Sequence, residues 1–346
     1  MFKPNYQIDI DWLYKISYKL ERFKKSSPSG NTFVCRCIIC GDSAKSKKTA
    51  RLFFYTKKGS LNYDCKNCGD HGSFYSFMRD VCPQDFEEYK KQQLLDRFQS
   101  RSSGHKSKAH INLPPKEEDT NTNDLSESLV GCVRLDKLPK DHPAVLYVLG
   151  RQIPDYNLHR LFYADNFRVT AQSIAYEELS PKFPDEPRIV IPFYSKDGLI
   201  EMIQGRSLDK QSKLRYISIK SSEGVDKIYG KEKIDNSKTT YCVEGPFDSL
   251  FIDNCVATCD SALQRSNANV LIFDNQPRNK EIIELMDTAI SNGRSVVIWP
   301  VSPNDKIDIN DMILMGLSQE QLMNIIQTNT FSGLKAKLMF TKWKKV

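Results

Sequence analysis

The chain has 346 residues, 40% of them hydrophobic and 27% charged, with a mean hydropathy of −0.50. That length suits two or three domains with apolar cores, and no run approaches the ~20 apolar residues that a membrane span needs. The formal net charge is +7, but it is unevenly placed: residues 1–110 carry a surplus of positive charge, and the remainder is mildly acidic. A basic module joined to an acidic body fits a polyanion-binding handle with a separate working part. A solvated Lys-rich surface is the plainer alternative.

No uninterrupted apolar block follows a basic start near the N-terminus, so no signal peptide is expected. Ile10, Leu13, Ile16 (or Tyr14) and Leu20 recur at helical spacing until Pro28 and Gly30 break the pattern. Five of the ten cysteines follow: Cys35, Cys37, Cys40, Cys65 and Cys68. Without a secretory signal, disulfides are not expected, and a metal is the better account of the cluster. Cys37 and Cys40 form one CxxC knuckle, and Cys65 and Cys68 a second. Two such knuckles can place four thiolates around a tetrahedral Zn²⁺, a closed shell that is structural and not catalytic. Cys35 fits no CxxC spacing and is read as a neighbour. His71 is read as a turn residue.

Between the knuckles, Arg51, Lys57 and Lys58 are interleaved with Phe53, Phe54, Tyr55 and Tyr63. Basic side chains can hold phosphates and aromatic faces can stack bases. Some of these rings must be the core of a small zinc ribbon, and one or two are expected to be exposed. Residues 73–98 read as helical around a break at Pro83. Residues 99–128 are polar, rich in Ser, Lys, Pro, Asp and Asn, and read as a linker.

After Leu129 the texture is globular. Residues 142–154 suggest a helix ended by Pro154. Residues 187–194 and 199–208 suggest two strands about a turn at Asp197-Gly198. From 239 onward, strands and helices alternate as βαβαβ, which implies a parallel sheet. Cys242 and Cys255 read as small core residues. Glu244 follows the strand TTYCV, and Asp248 returns one helical turn later. Asp274 ends the strand NVLIF. Asp308 and Asp311 follow the strand ending at Trp299-Pro300. Ligands bind outside the carboxyl ends of parallel strands. Glu244, Asp274 and Asp308 could therefore share Mg²⁺, a hard cation suited to carboxylates and to phosphoryl transfer. Each acid alone is weak evidence, since helix N-terminal acids are often only caps. Three in order on one scaffold carry more.

EGPFD, FDNQ and DIND at these spacings resemble the Toprim fold of primases and topoisomerases. PRIVIPFY, QGRSL, LRYISI and KIYG resemble the basic half of the DnaG-type primase RNA polymerase domain. The zinc ribbon with CGDS completes the primase order. CVRLDKLPKDHPAVLYVLGRQIP and DNQPR resemble more specifically the primases of T-even-type tailed phages. The implied fold is a multidomain α/β and α+β chain. It comprises a zinc-ribbon DNA-binding domain (1–98), a flexible linker (99–128) and a basic α/β subdomain (129–238). A Toprim parallel-sheet domain (239–315) and a C-terminal helical segment (316–346) follow.

The resemblance implies de novo synthesis of short RNA primers on single-stranded DNA, with structural zinc and catalytic magnesium. Glu244, Asp248, Asp274 and Asp308 match the family's acids by motif position. Arg188, Arg206 and Arg215 fall in the strands that hold template or nucleotide phosphates, with Lys213 and Lys227 near them. The implied partners are the DNA template, ribonucleoside triphosphates, a hexameric replicative helicase and single-stranded DNA-binding protein. The implied location is the host cytoplasm, at the replication fork. One departure is plain: the family's DxD pattern would place an acid at 276, where this chain has Gln276. Asp274 is read as a working carboxylate, and Asp248 or Asp311 could complete the shell. Two rivals are a Toprim nuclease, which leaves the basic strands at 187–230 unexplained, and a zinc-ribbon adaptor that recruits a helicase, which Gln276 favours. The Lys-rich end at 333–346 could touch DNA or the helicase, or be a solvated helix.

Overall fold

The computed structural model describes residues 6–26, 30–43, 46, 48–57, 59–102, 129–209, 211–303 and 305–346, and the chain divides into two units, 1–101 and 102–346. Lys58 lies outside the described residues. In the first unit, five antiparallel strands pair in sequence order: β1 (Lys24–Lys25), β2 (Thr32–Cys35), β3 (Leu52–Lys57), β4 (Ser60–Cys65) and β5 (His71–Ser73). The period of two is visible in β3, where Leu52 and Phe54 are buried while Phe53 and Tyr55 stand half-exposed on the other face.

Helices α1 (Tyr6–Lys15), α2 (Phe74–Val81) and α3 (Pro83–Ser102) belong to the same unit. Trp12, Leu13, Phe33, Phe54, Phe77 and Tyr89 share one core cluster. Pro83 opens α3, and Ser73 caps α2 by accepting the Ser76 N–H at 3.2 Å. Residues 99–102 of the expected linker continue α3; residues 103–128 lie outside the described residues.

The second unit holds two sheets. The first is antiparallel, in the order β10-β9-β8-β7-β6, with β6 (Cys132–Arg134), β7 (Phe162–Ala164), β8 (Arg188–Tyr194), β9 (Ile200–Ser207) and β10 (Tyr216–Lys220). The expected turn is present, with Gly198 at φ +81°. Helix α4 (Pro143–Gly150) is shorter than expected. It stops before Pro154 because Gln152 turns left-handed at φ +57°. Helix α5 (Phe167–Ile174) packs on this sheet, and the ring of Phe167 lies directly over Gly205.

The second sheet has the order β12-β11-β13-β14-β15: β11 (Tyr241–Val243), β12 (Cys255–Ala257), β13 (Val270–Leu271), β14 (Ser295–Val297) and β15 (Thr330–Phe331). The first four pair in parallel, and β15 is antiparallel to β14. Their helices are α6 (Pro246–Ser249), α7 (Lys280–Ser291), α8 (Ile309–Leu314), α9 (Gln319–Thr328) and α10 (Gly333–Trp343). The chain runs outward from β11 to β12 on one side, then returns to β13 on the other. The boundary between β11 and β13 is therefore a topological switch point, and in open parallel sheets ligands bind outside the carboxyl ends of the strands at such a point. Among the described residues no helix is long and apolar enough to cross a membrane.

A Cβ at position 205 would meet three Phe167 ring atoms at 2.5–2.8 Å. Gly205→Ala is therefore expected to destabilise the second unit by about 1–3 kcal/mol through overpacking, read as a lowered midpoint in urea denaturation.

Candidate active site

The four thiols of Cys37, Cys40, Cys65 and Cys68 lie within 4.8 Å of one another. Each knuckle closes through a main-chain bond, Gly41 N–H to Cys37 O and Gly69 N–H to Cys65 O, both 2.9 Å. Gly41 and Gly69 take φ of +67° and +77°, which suits glycine in tight turns. Asn67 donates its side-chain amide to the Cys40 sulfur and its main-chain N–H to Cys65, each at 3.4 Å. The Asn67 contact leads the effects that draw the Cys40 thiol down to about 6, towards the thiolate that a metal requires. The donor set suits zinc. Cys35 is buried in the core instead, and burial pushes its thiol up to about 12. His71 accepts no place in the cluster; its Nδ1 lies 2.9 Å from Gly69 O.

Asp42 is buried beside the first knuckle. It accepts the Cys37 N–H at 3.1 Å, the Arg51 N–H at 3.0 Å and Arg51 Nε at 2.8 Å. Arg51 thus organises the knuckle rather than standing as a simple surface cation. Lys57 is exposed at the end of β3. None of the aromatic residues singled out in the sequence is fully exposed: Phe53 and Tyr55 are half-buried, Phe54 and Tyr63 buried. The same unit carries an open groove of about 670 Å³ lined by Arg22, Phe23, Lys24, Lys25, Lys48 and Phe53. Of these, only Phe53 belongs to the segment between the knuckles that drew attention in the sequence. The others are brought in by the β1–β2 pairing and the loop before β3.

At the switch point of the parallel sheet, Glu244 directly follows β11 and Asp274 lies just beyond β13. Glu244 Oε1 is buried and has no hydrogen-bond partner. Burial, followed by the charge of Asp274, pushes the Glu244 carboxyl up to about 7. Asp248, one turn into α6, is raised well above the usual carboxylate range by burial and by Asp308 and Asp274. Gly245 makes this approach possible: a Cβ there would meet Asp248 Oδ2 at 2.6 Å. Asp274 is raised by burial, against the pull of Lys306, whose ammonium pairs with Asp274 Oδ2. Asp308 caps α8, accepting the Asp311 N–H at 2.7 Å, while Asp311 accepts the Asp308 N–H at 3.1 Å. The structure therefore gathers all the acids expected from the sequence. A buried, partnerless carboxylate oxygen among mutually repelling acids is what a divalent cation would satisfy.

Gln276 does not point its carbonyl freely at this cluster. Its Oε1 accepts from Asn279 Nδ2 at 3.0 Å, and Asn279 caps α7. Three residues that sequence reasoning missed shape the site. Asn310 donates its N–H to Asp248 Oδ1 at 3.1 Å. Its side chain clamps Arg151, accepting from Nη1 at 2.8 Å and donating to the main-chain oxygen at 2.6 Å. Asn275 is fully buried: it donates to Val301 O and accepts from Trp343 Nε1, both at 3.0 Å. Lys306 is the third. Asn310 sits inside the DIND motif and could have been noticed there; Arg151 lies 159 residues away and could not.

The basic residues separate into two kinds. Arg188 is fully buried. Its Nη1 donates to Gly205 O at 2.9 Å and its Nη2 to Leu214 O at 2.8 Å, and it pairs with Glu186. Expected to hold a phosphate, it instead pins neighbouring main chain, because its terminal nitrogens are already taken by carbonyls. Arg206 lies 4.5 Å from the Tyr216 ring and 5.7 Å from Tyr147, while Arg151 lies over Tyr147 and Phe247 at 5.3 and 5.2 Å. This cation–aromatic row runs from β9 to α6, which carries Asp248. Lys213 and Arg215 are exposed between β9 and β10. Lys227 is half-buried, and its charge reaches the thiol of Cys259; the main-chain N–H of Cys259 donates to Glu244 O at 2.8 Å.

No protein-family model matches the chain. Among curated proteins it is similar to the DNA primase of Enterobacteria phage T4, with 33% identity over 347 residues, 98% of both chains. Among solved structures it is similar to the zinc-binding and RNA polymerase domains of the Aquifex aeolicus primase, at 18% identity, 93% of this chain, 85% of that chain and a TM-score of 0.43. A structure of the DnaG catalytic core gives 16% identity, 63% of this chain, 82% of that chain and a TM-score of 0.46.

Metal chelation should remove hydrogen-exchange protection from β2–β5 while leaving the parallel sheet protected, since zinc sites supply on the order of 10 kcal/mol to small modules. In magnesium-free buffer, Glu244 sets a second expectation. Between pH 4.5, its ordinary value, and about 7 the folded carboxyl keeps a proton that the unfolded chain has lost. Stability therefore falls as pH rises through that window, by on the order of 3 kcal/mol at about 1.4 kcal/mol per unit. Glu244→Gln should show a smaller loss in urea denaturation between pH 5 and 8.

Proposed function

The chain belongs to the DNA primase family of phage T4 and is an RNA-synthesising nucleotidyltransferase, and from that premise we propose how its residues divide the work. The Glu244 Oε1, buried and without a hydrogen-bond partner beside Asp274 at the switch point, is the observation that carries the reading. Glu244, Asp274 and Asp308 would hold magnesium there, which supplies charge neutralisation for the triphosphate and activation of the 3′-hydroxyl when bound. The 3′-hydroxyl of one nucleotide attacks the α-phosphate of the next, and pyrophosphate leaves. Asp248 is held by Asn310 and Arg151, so it supports the acids from within rather than facing the substrate. Gln276 contributes the turn before α7 and not a charge.

Arg206, buried against Tyr216 and Tyr147 with its Nε unpartnered, would meet a nucleotide or template phosphate, and Lys213, Arg215 and Lys227 would add positive charge around it. Arg188 is left out of that role. In the zinc module, the groove lined by Arg22, Lys24, Lys48, Phe23 and Phe53 fits a single strand: cations for the backbone, rings for bases. Lys57, exposed at the end of β3, is proposed to contact the same strand, as is Lys58, which lies outside the described residues. The template strand, ribonucleoside triphosphates, a hexameric replicative helicase and single-stranded DNA-binding protein complete the proposed setting, in the host cytoplasm at the fork.

Incubation with single-stranded DNA, magnesium and labelled ribonucleotides should yield short RNA starting at defined template sites. Glu244→Gln should reduce synthesis by at least ~10³-fold, as expected for loss of a charge that acts on the transition state, with zinc content unchanged. Near wild-type synthesis by that variant would sink the assignment of the acids, and shortened DNA without RNA would indicate a nuclease.

A further inference from the structure

Lys306 pairs with Asp274, and a backbone bridge holds the segment it lies on. Residues 275 and 307 form an antiparallel bridge, with Asn275 N–H to Ile307 O at 3.0 Å and Ile307 N–H to Asn275 O at 3.3 Å. Asn275 also holds Val301 O. In such a bridge the flanking positions oppose one another in reverse order, so 274 stands across from 308 and 276 across from 306. The bridge draws the segment of Asp274 and Gln276 to that of Lys306 and Asp308. The Lys306 side chain crosses to Asp274, and the charges of Glu244 and Asp308 also act on it. A neutral amide at 276 and a lysine at 306 leave the cluster with less negative charge than an acid and a neutral residue would.

We propose that Lys306 is a resident counter-cation of the acid cluster, one that must leave Asp274 before a divalent ion can take that carboxylate. This rests on the reading of the acids as the metal-binding centre. Without metal, the ammonium offsets the repulsion among Glu244, Asp274 and Asp308. When metal arrives, the half-exposed lysine side chain is free to swing towards solvent. Gln276 fits the same account: it opposes Lys306 without pairing with it, because its carbonyl is bonded to Asn279. Lys306 is therefore a positioning residue that sets the metal concentration at which the centre loads.

The test is Mn²⁺ binding to the full zinc-loaded chain, followed by electron paramagnetic resonance, together with thermal unfolding in metal-free buffer. Lys306→Met should bind Mn²⁺ roughly two- to fivefold more tightly, the order expected for release of one partly exposed ion pair. It should also melt a few degrees lower without metal. Lys306→Arg, which keeps the charge, should match the wild type in melting and stay closer to it in affinity. Unchanged or weaker Mn²⁺ binding by Lys306→Met would overturn the proposal while leaving the metal centre intact. If the wild type bound no Mn²⁺ that Glu244→Gln abolishes, the reading of the acids would fail, and this inference with it.

Discussion

Like charges held close together out of water set the terms for the whole second unit. Glu244, Asp248, Asp274, Asp308 and Asp311 converge where four short parallel strands end, and several of them raise one another's proton affinity. Such an arrangement is unfavourable by itself. It persists because backbone devices fix it. Gly245 removes the Cβ that would strike Asp248, the Asp308–Asp311 capping box anchors one corner, and the 275–307 bridge anchors another. The surrounding polar groups, Arg151 with Asn310 on one side and Lys306 on the other, relieve part of the strain. What remains unrelieved is the buried Glu244 oxygen.

The basic sheet answers a different requirement. Burying Arg188 would be costly for an unpaired cation, but two main-chain carbonyls and Glu186 surround it. It is therefore a fastener between strands. Arg206 is oriented by aromatic rings instead, and that leaves its hydrogen-bonding capacity less committed. Two arginines in adjacent strands thus have different surroundings, carbonyls around one and ring faces beside the other.

Much of this was legible in the sequence, for physical reasons that vary by element. The zinc knuckles announce themselves because metal geometry fixes the spacing of Cys37, Cys40, Cys65 and Cys68. Strands β11 and β13 show as apolar runs, and the acids after them follow from the rule on parallel strand ends. Strands β12 and β15 were missed because what makes Cys255–Ala257 and Thr330–Phe331 strands is their pairing with β11 and β14, which the sequence pattern does not record. Arg188 was misjudged because sequence pattern records a charge but not the carbonyls that meet it. Arg51 was read as a phosphate-binding cation, and the pattern likewise gives no sign of its bond to Asp42, nine positions earlier. Arg151, Asn275 and Lys306 depend on contacts between distant segments, and a single sequence carries no record of those.

The indole of Trp343, bonded to Asn275 at the rim of the acid cluster, has a consequence in time. Ser302 Oγ donates to the Trp343 carbonyl at 2.9 Å, and the Lys345 N–H donates to Pro277 O at 2.8 Å, so helix α10 closes over the segment that carries Asp274. Trp343 is added 68 residues after Asn275. At about 5–20 residues per second, that is a wait of roughly 3–14 s during synthesis. Through that interval the strand end bearing Asp274 lacks its final clamp. A nascent chain long enough to contain every acid is still without the packing that holds them in register, so assembly of the centre is coupled to arrival of the last helix.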